Sequence, residues 1–336
     1  MISKTTKPSP YQCLELRWNH PNQKLAFMMK WTKLINEQHQ QQKEDFGITV
    51  YTKDSSDTAQ WVEFEKIYPS RQILSFQQAE VAPLAFKSLN PLIYFNHEET
   101  RGSLTQKNKK IEWDLKITVS KRSRLSLIHK FMQRLLFWKS PIEITQYAVF
   151  LNGTVYVNDE PFPLIKQKAN LVETTGQERS TESLYLNCDE FYRPDGSQAQ
   201  FGITSYVVED RLAGILKNTK YRAFIIDYDN QRFTLNNIQD LLNVKTTSTR
   251  TSFEFSAHSG HYEFKGKASS SIKNFKQQVQ ENTNGQYYHL WKTPFCDLTI
   301  QAYYKGQLKE TFFSPGLAEL EFTSEKENPI LKDLTQ

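Results

Sequence analysis

Apolar and polar residues alternate one for one along most of this chain, the period that a β-strand with one covered face requires. In residues 46–52, Phe46, Ile48 and Val50 share a side. In residues 111–119, Ile111, Trp113, Leu115, Ile117 and Val119 face one way while Glu112, Asp114, Lys116 and Thr118 face the other. The pattern recurs at Trp61–Tyr68, Ser183–Tyr192, Tyr221–Asp229, Ser252–Gly266, Tyr288–Tyr304 and Leu317–Ser324, so strands dominate from about Leu14 to Phe322. Asn152-Gly153, Asp195-Gly196, Asp229-Asn230 and Asn284-Gly285 fall between such runs, where residues tolerant of positive φ make hairpin loops. Hairpins in succession predict antiparallel sheet. Two stretches break the period. Residues 124–140 place Leu127, Ile128, Phe131, Leu135 and Trp138 at helical spacing, and residues 235–244 do so more briefly, each predicting a helix laid against a sheet or across a barrel mouth.

A chain of 336 residues exceeds what one hydrophobic core usually serves. Antiparallel sheets of this extent hide their edges most simply by closing, which predicts an all-β protein of two tandem antiparallel barrels with a few short helices. The turn cluster Arg193-Pro194-Asp195-Gly196 is the expected junction, giving an N-terminal barrel over 10–193 and a C-terminal barrel over 194–326. No short internal repeat suggests a propeller or solenoid.

Composition sharpens this picture. With 22 Phe, 16 Tyr and 6 Trp, the chain folds around rings. Its 12 Gly form neither G-x-G-x-x-G nor G-x-x-x-x-G-K-[ST], which argues against a Rossmann or P-loop enzyme and implies no nucleotide cofactor. A net charge of +5 falls short of a nucleic-acid-binding footprint. Cys13, Cys188 and Cys296 are odd in number and far apart, so they predict reduced, half-buried thiols rather than disulfides or a zinc site. His258 and His261 flank Ser259-Gly260, a hairpin tip, and read as a solvated turn rather than metal ligands. No signal-peptide or membrane-spanning run is present, which predicts a cytoplasmic protein.

Hydrolase motifs such as G-x-S-x-G and H-E-x-x-H are absent, but acid–base chemistry by inward carboxylates or tyrosines stays open. In residues 183–191, alternation places Leu184, Leu186, Cys188 and Glu190 on one face and Tyr185, Asn187, Asp189 and Phe191 on the other. In residues 317–322, Glu319 and Glu321 share a face that reads as wet. His97, Glu98 and Glu99 read as a charged loop beside the apolar run at 92–95. Cations concentrate from Arg101 to Ser140, where only Glu112 and Asp114 oppose eleven Lys and Arg. Within that stretch Arg124, Lys130, Arg134, Trp138 and Lys139 fit an interfacial helix docking on an anionic membrane; a core-covering helix with solvated cations fits equally.

The order of features also carries a likeness. Gly102-Ser103-Leu104 before the Trp113-Asp114-Leu115 strand, Gly153-x-Val155-x-Val157, and Gly316-Leu317-Ala318-Glu319 near the end together resemble the two-domain lipocalin-like superfamily. That superfamily includes carotenoid hydratases such as hydroxyneurosporene synthase, tocopherol cyclases and AttH-like proteins, and the likeness spans roughly residues 10–325. It implies two calycin-type barrels with apolar cavities for an isoprenoid, pigment or lipid, and reactions that hydrate or cyclise an alkene by protonation. Where relatives carry a Trp-Gly pair followed by another Trp, this chain has Thr175-Gly176 and then Leu184, Tyr185 and Leu186, so no catalytic role is carried over.

The expectation is a hydrophobic small molecule or lipid bound in an aromatic-lined cavity, with Glu98, Trp113, Glu173, Tyr185, Asn187 and Asp189 as its candidate lining. No metal or other cofactor is expected. The rival is a peripheral membrane or lipid-transfer protein acting through residues 124–140.

Overall fold

The computed structural model describes residues 11–20, 25–36, 41–53, 58–72, 86–89, 92–126, 143–176, 182–210, 219–236, 243–281 and 287–324. Ten strands form a first sheet: β1 (Tyr11–His20), β2 (Leu25–Asn36), β3 (Gln41–Lys53), β4 (Ala59–Gln72), β5 (Phe86–Leu89), β6 (Leu92–Phe95), β7 (Glu99–Gln106), β8 (Lys109–Ser126), β9 (Glu143–Val157) and β10 (Glu160–Gly176). Its order is β4-β3-β2-β1-β10-β9-β8-β7-β6-β5. Twelve strands form the second: β11 (Ser183–Cys188), β12 (Phe191–Tyr192), β13 (Gln198–Ala199), β14 (Phe201–Asp210), β15 (Thr219–Tyr228), β16 (Gln231–Leu235), β17 (Val244–Ser248), β18 (Ser252–Ser259), β19 (Tyr262–Ser269), β20 (Lys276–Glu281), β21 (Tyr287–Tyr304) and β22 (Gln307–Ser324). Its main path runs β16-β15-β14-β11-β22-β21-β19-β18-β17. The architecture is all-β, in two nearly closed antiparallel barrels. A 3-10 turn at Ile272–Asn274 interrupts the second.

Alternation sets the inward faces as expected. Leu14, Leu16 and Trp18, then Phe27, Met29 and Trp31, then Phe46, Ile48 and Val50 line the first barrel. Leu184, Leu186 and Cys188, with Ala318, Leu320 and Phe322, line the second. The rings fill these interiors by packing on one another. Phe46 stacks on Trp113 at 5.7 Å and on Phe86 at 5.4 Å, and Phe201 stacks on Phe312 at 4.5 Å. Phe233 of β16 meets Phe264 of β19 at 5.2 Å, drawing the two ends of the second sheet together.

Several local expectations change. Asn152-Gly153 is not a hairpin: β9 runs straight through it, and the β9–β10 turn is Asn158-Asp159, both at positive φ. Gly153 is required for close approach, since at its φ of +142° a Cβ would stand 2.0 Å from the Asp114 carbonyl oxygen. Asp229-Asn230 does turn β15 into β16, with both residues at positive φ. Asn284-Gly285 lies outside the described residues. Arg193–Gly196 is a tight turn between β12 and β13 inside the second sheet; the last strand of the first sheet ends at Gly176 and the first strand of the second begins at Ser183. Val119, in phase opposite the buried Val149, is itself exposed, and a register shift follows it. Asp189 and Glu190 interrupt the strand after Cys188, so Phe191 joins the second barrel's core rather than the Tyr185 face.

Residues 124–126 complete β8, so no helix begins at Arg124; Lys130, Arg134, Trp138 and Lys139 lie outside the described residues, as do 237–242 of the second helical stretch. The three thiols are free and fully buried rather than half-buried. His258 and His261 sit at a β18–β19 hairpin tip, with His258 Nε2 3.3 Å from Glu263. Among the described residues no helix is long and apolar enough to cross a membrane.

Candidate functional site

The outward faces of β1, β2, β3, β9 and β10 are in part shielded from water, with Thr49, Tyr51 and Gln146 buried while Tyr156 on β9 is 42% exposed. They meet the outward faces of β11, β21 and β22, and the polar positions alternating with the barrel cores are buried between the sheets. On β1 these are Glu15, Arg17 and Asn19. The Arg17 guanidinium pairs with Glu15 at 2.5 Å, with Glu319, and with Glu321 at 3.2 Å, and lies 5.2 Å over the Tyr185 ring. The Lys292 ammonium reaches Glu15 at 3.3 Å. Glu319 and Glu321, expected to be wet, are 9% and 5% exposed because the second sheet's outer face is covered by the first.

Glu15, Glu319 and Glu321 face Arg17 and Lys292 directly, with Lys30 acting on Glu15 as well, and the protonation states reflect that crowding. Burial pushes Glu319 up to about 7; Arg17 opposes that rise, while Glu15 and Glu321 add to it. Burial also acts on Glu15, but Arg17, Lys292 and Lys30 outweigh it and hold that carboxyl well below its usual range. Lys276, hydrogen-bonded to Glu63 and to Thr49 at 3.2 Å, is lowered to about 8 by burial.

Beside the ion cluster lies an amide network. Gln146 Nε2 donates to Asn187 Oδ1 at 2.7 Å and to Asn170 Oδ1 at 3.0 Å, and Thr204 Oγ1 donates to Asn187 Oδ1 at 2.9 Å. Asn170 in turn hydrogen-bonds Asp189, whose carboxyl burial pushes up to about 6. Two cavities meet here, sharing Lys168, Ala169, Asn170 and Asp189. One, of about 60 Å³, reaches in toward Arg17, Lys292 and Glu319 and has room for a few waters. The other is an open cleft of about 690 Å³ between β8–β10 and β14–β16. Phe150, Phe201, Ile203, Ile225 and Tyr228 give it apolar walls. Across its rim Asp227 Oδ1 holds Lys121 of the opposite sheet at 2.7 Å and Arg232 at 2.9 Å.

Of the residues singled out from sequence, Tyr185, Asn187 and Asp189 come together on this inter-sheet face. Trp113 does not join them. It is core to the first barrel, donating from Nε1 to Thr100 Oγ1 at 2.9 Å. Glu98 is exposed in the β6–β7 turn, its backbone carbonyl accepting from Ile117 N. Glu173 is elsewhere again, at one end of the first barrel with His97 and Tyr147. Sequence reasoning missed Arg17, Lys292, Gln146 and Lys168. The signal that marks Arg17 is Glu15-x-Arg17 threaded between Leu14, Leu16 and Trp18, a charged face on a strand whose other face is wholly apolar.

No protein-family model matches the chain, and no curated protein sequence does. In structure it is similar to kievitone hydratase from Nectria haematococca, with a TM-score of 0.55 at 10% identity over 94% of this chain and 90% of that one. The chain has a two-barrel, lipocalin-like fold. AttH from Nitrosomonas europaea aligns over 95% of this chain and 94% of its own, at 10% identity and a TM-score of 0.49.

Proposed function

We propose that this protein binds a hydrophobic small molecule, of the isoprenoid, pigment or lipid class, in the cleft between its two barrels. The observation that carries the reading is the cleft itself: about 690 Å³, with Phe150, Ile225 and Tyr228 set among polar and charged side chains, and with Asp189, an acid raised by burial, on its lining. Ligand sites of drug-sized molecules span about 300–1,000 Å³ and combine apolar walls with a few polar groups. Among the described residues the rings of each barrel pack on one another, so the reading moves the ligand from a barrel interior, where the sequence suggested it, to the cleft between the barrels. An acid poised near 6 keeps a protonated fraction at neutral pH and is suited to protonating an alkene. The name hydratase on a protein of like fold is consistent with that chemistry.

Ala148 lines the cleft on β9 and is half-buried, so an indole at that position fills the cavity without entering either core. Titration of retinol fluorescence should show saturable binding to the native protein, weakened at least about tenfold in A148W with an unchanged melting temperature. Equal binding by the two proteins, or none by either, removes the reading.

A further inference from the structure

Away from the cleft, four elements send functional groups to one end of the first barrel. Glu173 on β10 lies in register with Leu14 and two positions from Leu171, both core residues, so its carboxylate occupies an inward position where an apolar side chain is the default. Its Oε2 accepts from Tyr147 OH of β9 at 3.2 Å and faces His97 Nε2 at 3.3 Å. Burial acts to raise the Glu173 carboxyl, but His97 and Tyr147 outweigh it and lower the net value, so the group is ionised. His97 sits in the β6–β7 turn, which Asn96 Oδ1 pins by accepting from the backbone N–H groups of Glu98 and Glu99 at 2.8 Å each. Its ring meets Tyr147 edge-on at 5.1 Å, and the Arg122 guanidinium lies 5.5 Å over that same Tyr147 ring.

This arrangement has a direction. A carboxylate facing Nε2 selects the tautomer with its proton there, which leaves Nδ1 as a lone-pair base. Among the described residues Nδ1 has no hydrogen-bond partner, and the His97 side chain is one-quarter exposed. Arg122 is exposed and, although its charge helps to lower the Glu173 carboxyl, it makes no close ion pair with a carboxylate among the described residues. A cluster serving only to seal the barrel end needs neither an open imidazole nitrogen nor an unpaired guanidinium beside it.

We infer that the end of the first barrel is a proton-transfer site, with His97 as the base, Glu173 and Tyr147 as positioning residues and Arg122 as the cation facing developing negative charge. The fitting substrate class is an enolisable carbonyl compound. His97 Nδ1 takes a proton from the carbon next to the carbonyl, the C–H electron pair becomes the C=C bond, and the carbonyl π pair moves to oxygen opposite Arg122. In a substrate with a β,γ double bond the enolate extends to a dienolate, and return of the proton to the γ carbon moves that double bond into conjugation, an isomerisation with nothing consumed. The site is separate from the cleft and independent of what the cleft binds.

The test uses 5-nitrobenzisoxazole, which reports on a competent base: loss of its ring C–H proton forms the nitrile as the N–O bond breaks, releasing a coloured phenolate. The native protein should accelerate this saturably over buffer. H97A should lower kcat/KM at least 100-fold and E173Q about tenfold. Added imidazole should rescue H97A beyond its solution rate but not H97A/E173Q, a readout that a purely structural role does not move. K267A, an exposed position on β19 outside both sites, should leave the rate unchanged. Native protein no faster than buffer, H97A as fast as native, or a parallel loss in K267A overturns the inference. If H97A fails to fold by circular dichroism, H97N takes its place, with the same loss expected and a native rate again overturning the inference.

Discussion

Arg17 and Glu319 form an ion pair across the inter-sheet layer while standing 302 residues apart in the chain. Arg17 lies on β1 at the centre of the first sheet and Glu319 on β22 at the centre of the second, so the pair is a direct bond between the two barrels.

Removing Arg17 leaves Glu15, Glu319 and Glu321 buried without the guanidinium that all three pair with. Stripping one partner from a buried charge cluster costs about 3–5 kcal/mol, because the remaining charge is neither hydrated nor paired. R17M should lose that much in urea unfolding, and R17M/E319L should recover part of it. An R17M protein as stable as the native one contradicts a buried, interdependent cluster.

Stability should fall as pH rises from about 5 to 8. Glu319 is raised from 4.5 to about 7 and Asp189 from 3.8 to about 6, so between the unfolded and folded values the native state holds protons the unfolded chain has released. Each contribution is complete below the unfolded value and lost as pH climbs through the folded one. Glu15 has the opposite sign, but its window lies below about 4.5, outside this range. Melting temperatures at pH 5, 6.5 and 8 should decline in the native protein and flatten in E319Q; an identical slope in the variant separates the trend from this carboxyl.

Glycine is required at position 153. G153A places a Cβ against the Asp114 carbonyl oxygen in backbone that L-residues rarely adopt, and neither strand can yield without breaking the β8–β9 ladder. A loss above about 3 kcal/mol is expected, the range that backbone strain and overpacking reach together. G196A, where nothing stands within 4 Å, should cost about 1 kcal/mol from its φ of +81° alone. Similar losses in both variants rule out the contact with Asp114 as the cause.

No thiol should react in the native state. Cys13, Cys188 and Cys296 are buried without a disulfide, and burial pushes Cys188 up to about 12, so thiolate is scarce even where reagent enters. Ellman's reagent should detect none of the 3 cysteines within minutes in buffer and all of them in urea. Fast modification in buffer marks a barrel that opens locally.

Period-two alternation is enough to orient Phe46, Ile48 and Val50, and Ile111 through Ile117, because a strand with one apolar face has one way to face a core. It does not foresee the exposure of Val119, which stays in phase opposite buried Val149, and it fails at Phe191, where two residues outside any strand reset the period. It is silent on what covers the opposite face. Glu319 and Glu321 read the same whether water or Arg17 stands above them, and Arg17 is too distant in sequence for any local pattern to reveal it. Glu173 and Asp189 are legible as carboxylates in apolar company, but their partners, Tyr147 and Asn170, come from pairing and packing rather than from spacing.

The ion cluster also sets a schedule. Ribosomes release Arg17 302 residues before Glu319, so the first barrel must finish while its charged face is still hydrated. Docking then strips that water in one late step, after β22 has entered its sheet. A chain stalled short of β22 carries a finished first barrel with an open, polar seam. Such a seam resists aggregation better than a bare apolar one, and it gives nascent chains a reason to keep charge where a hydrophobic interface would bind more tightly.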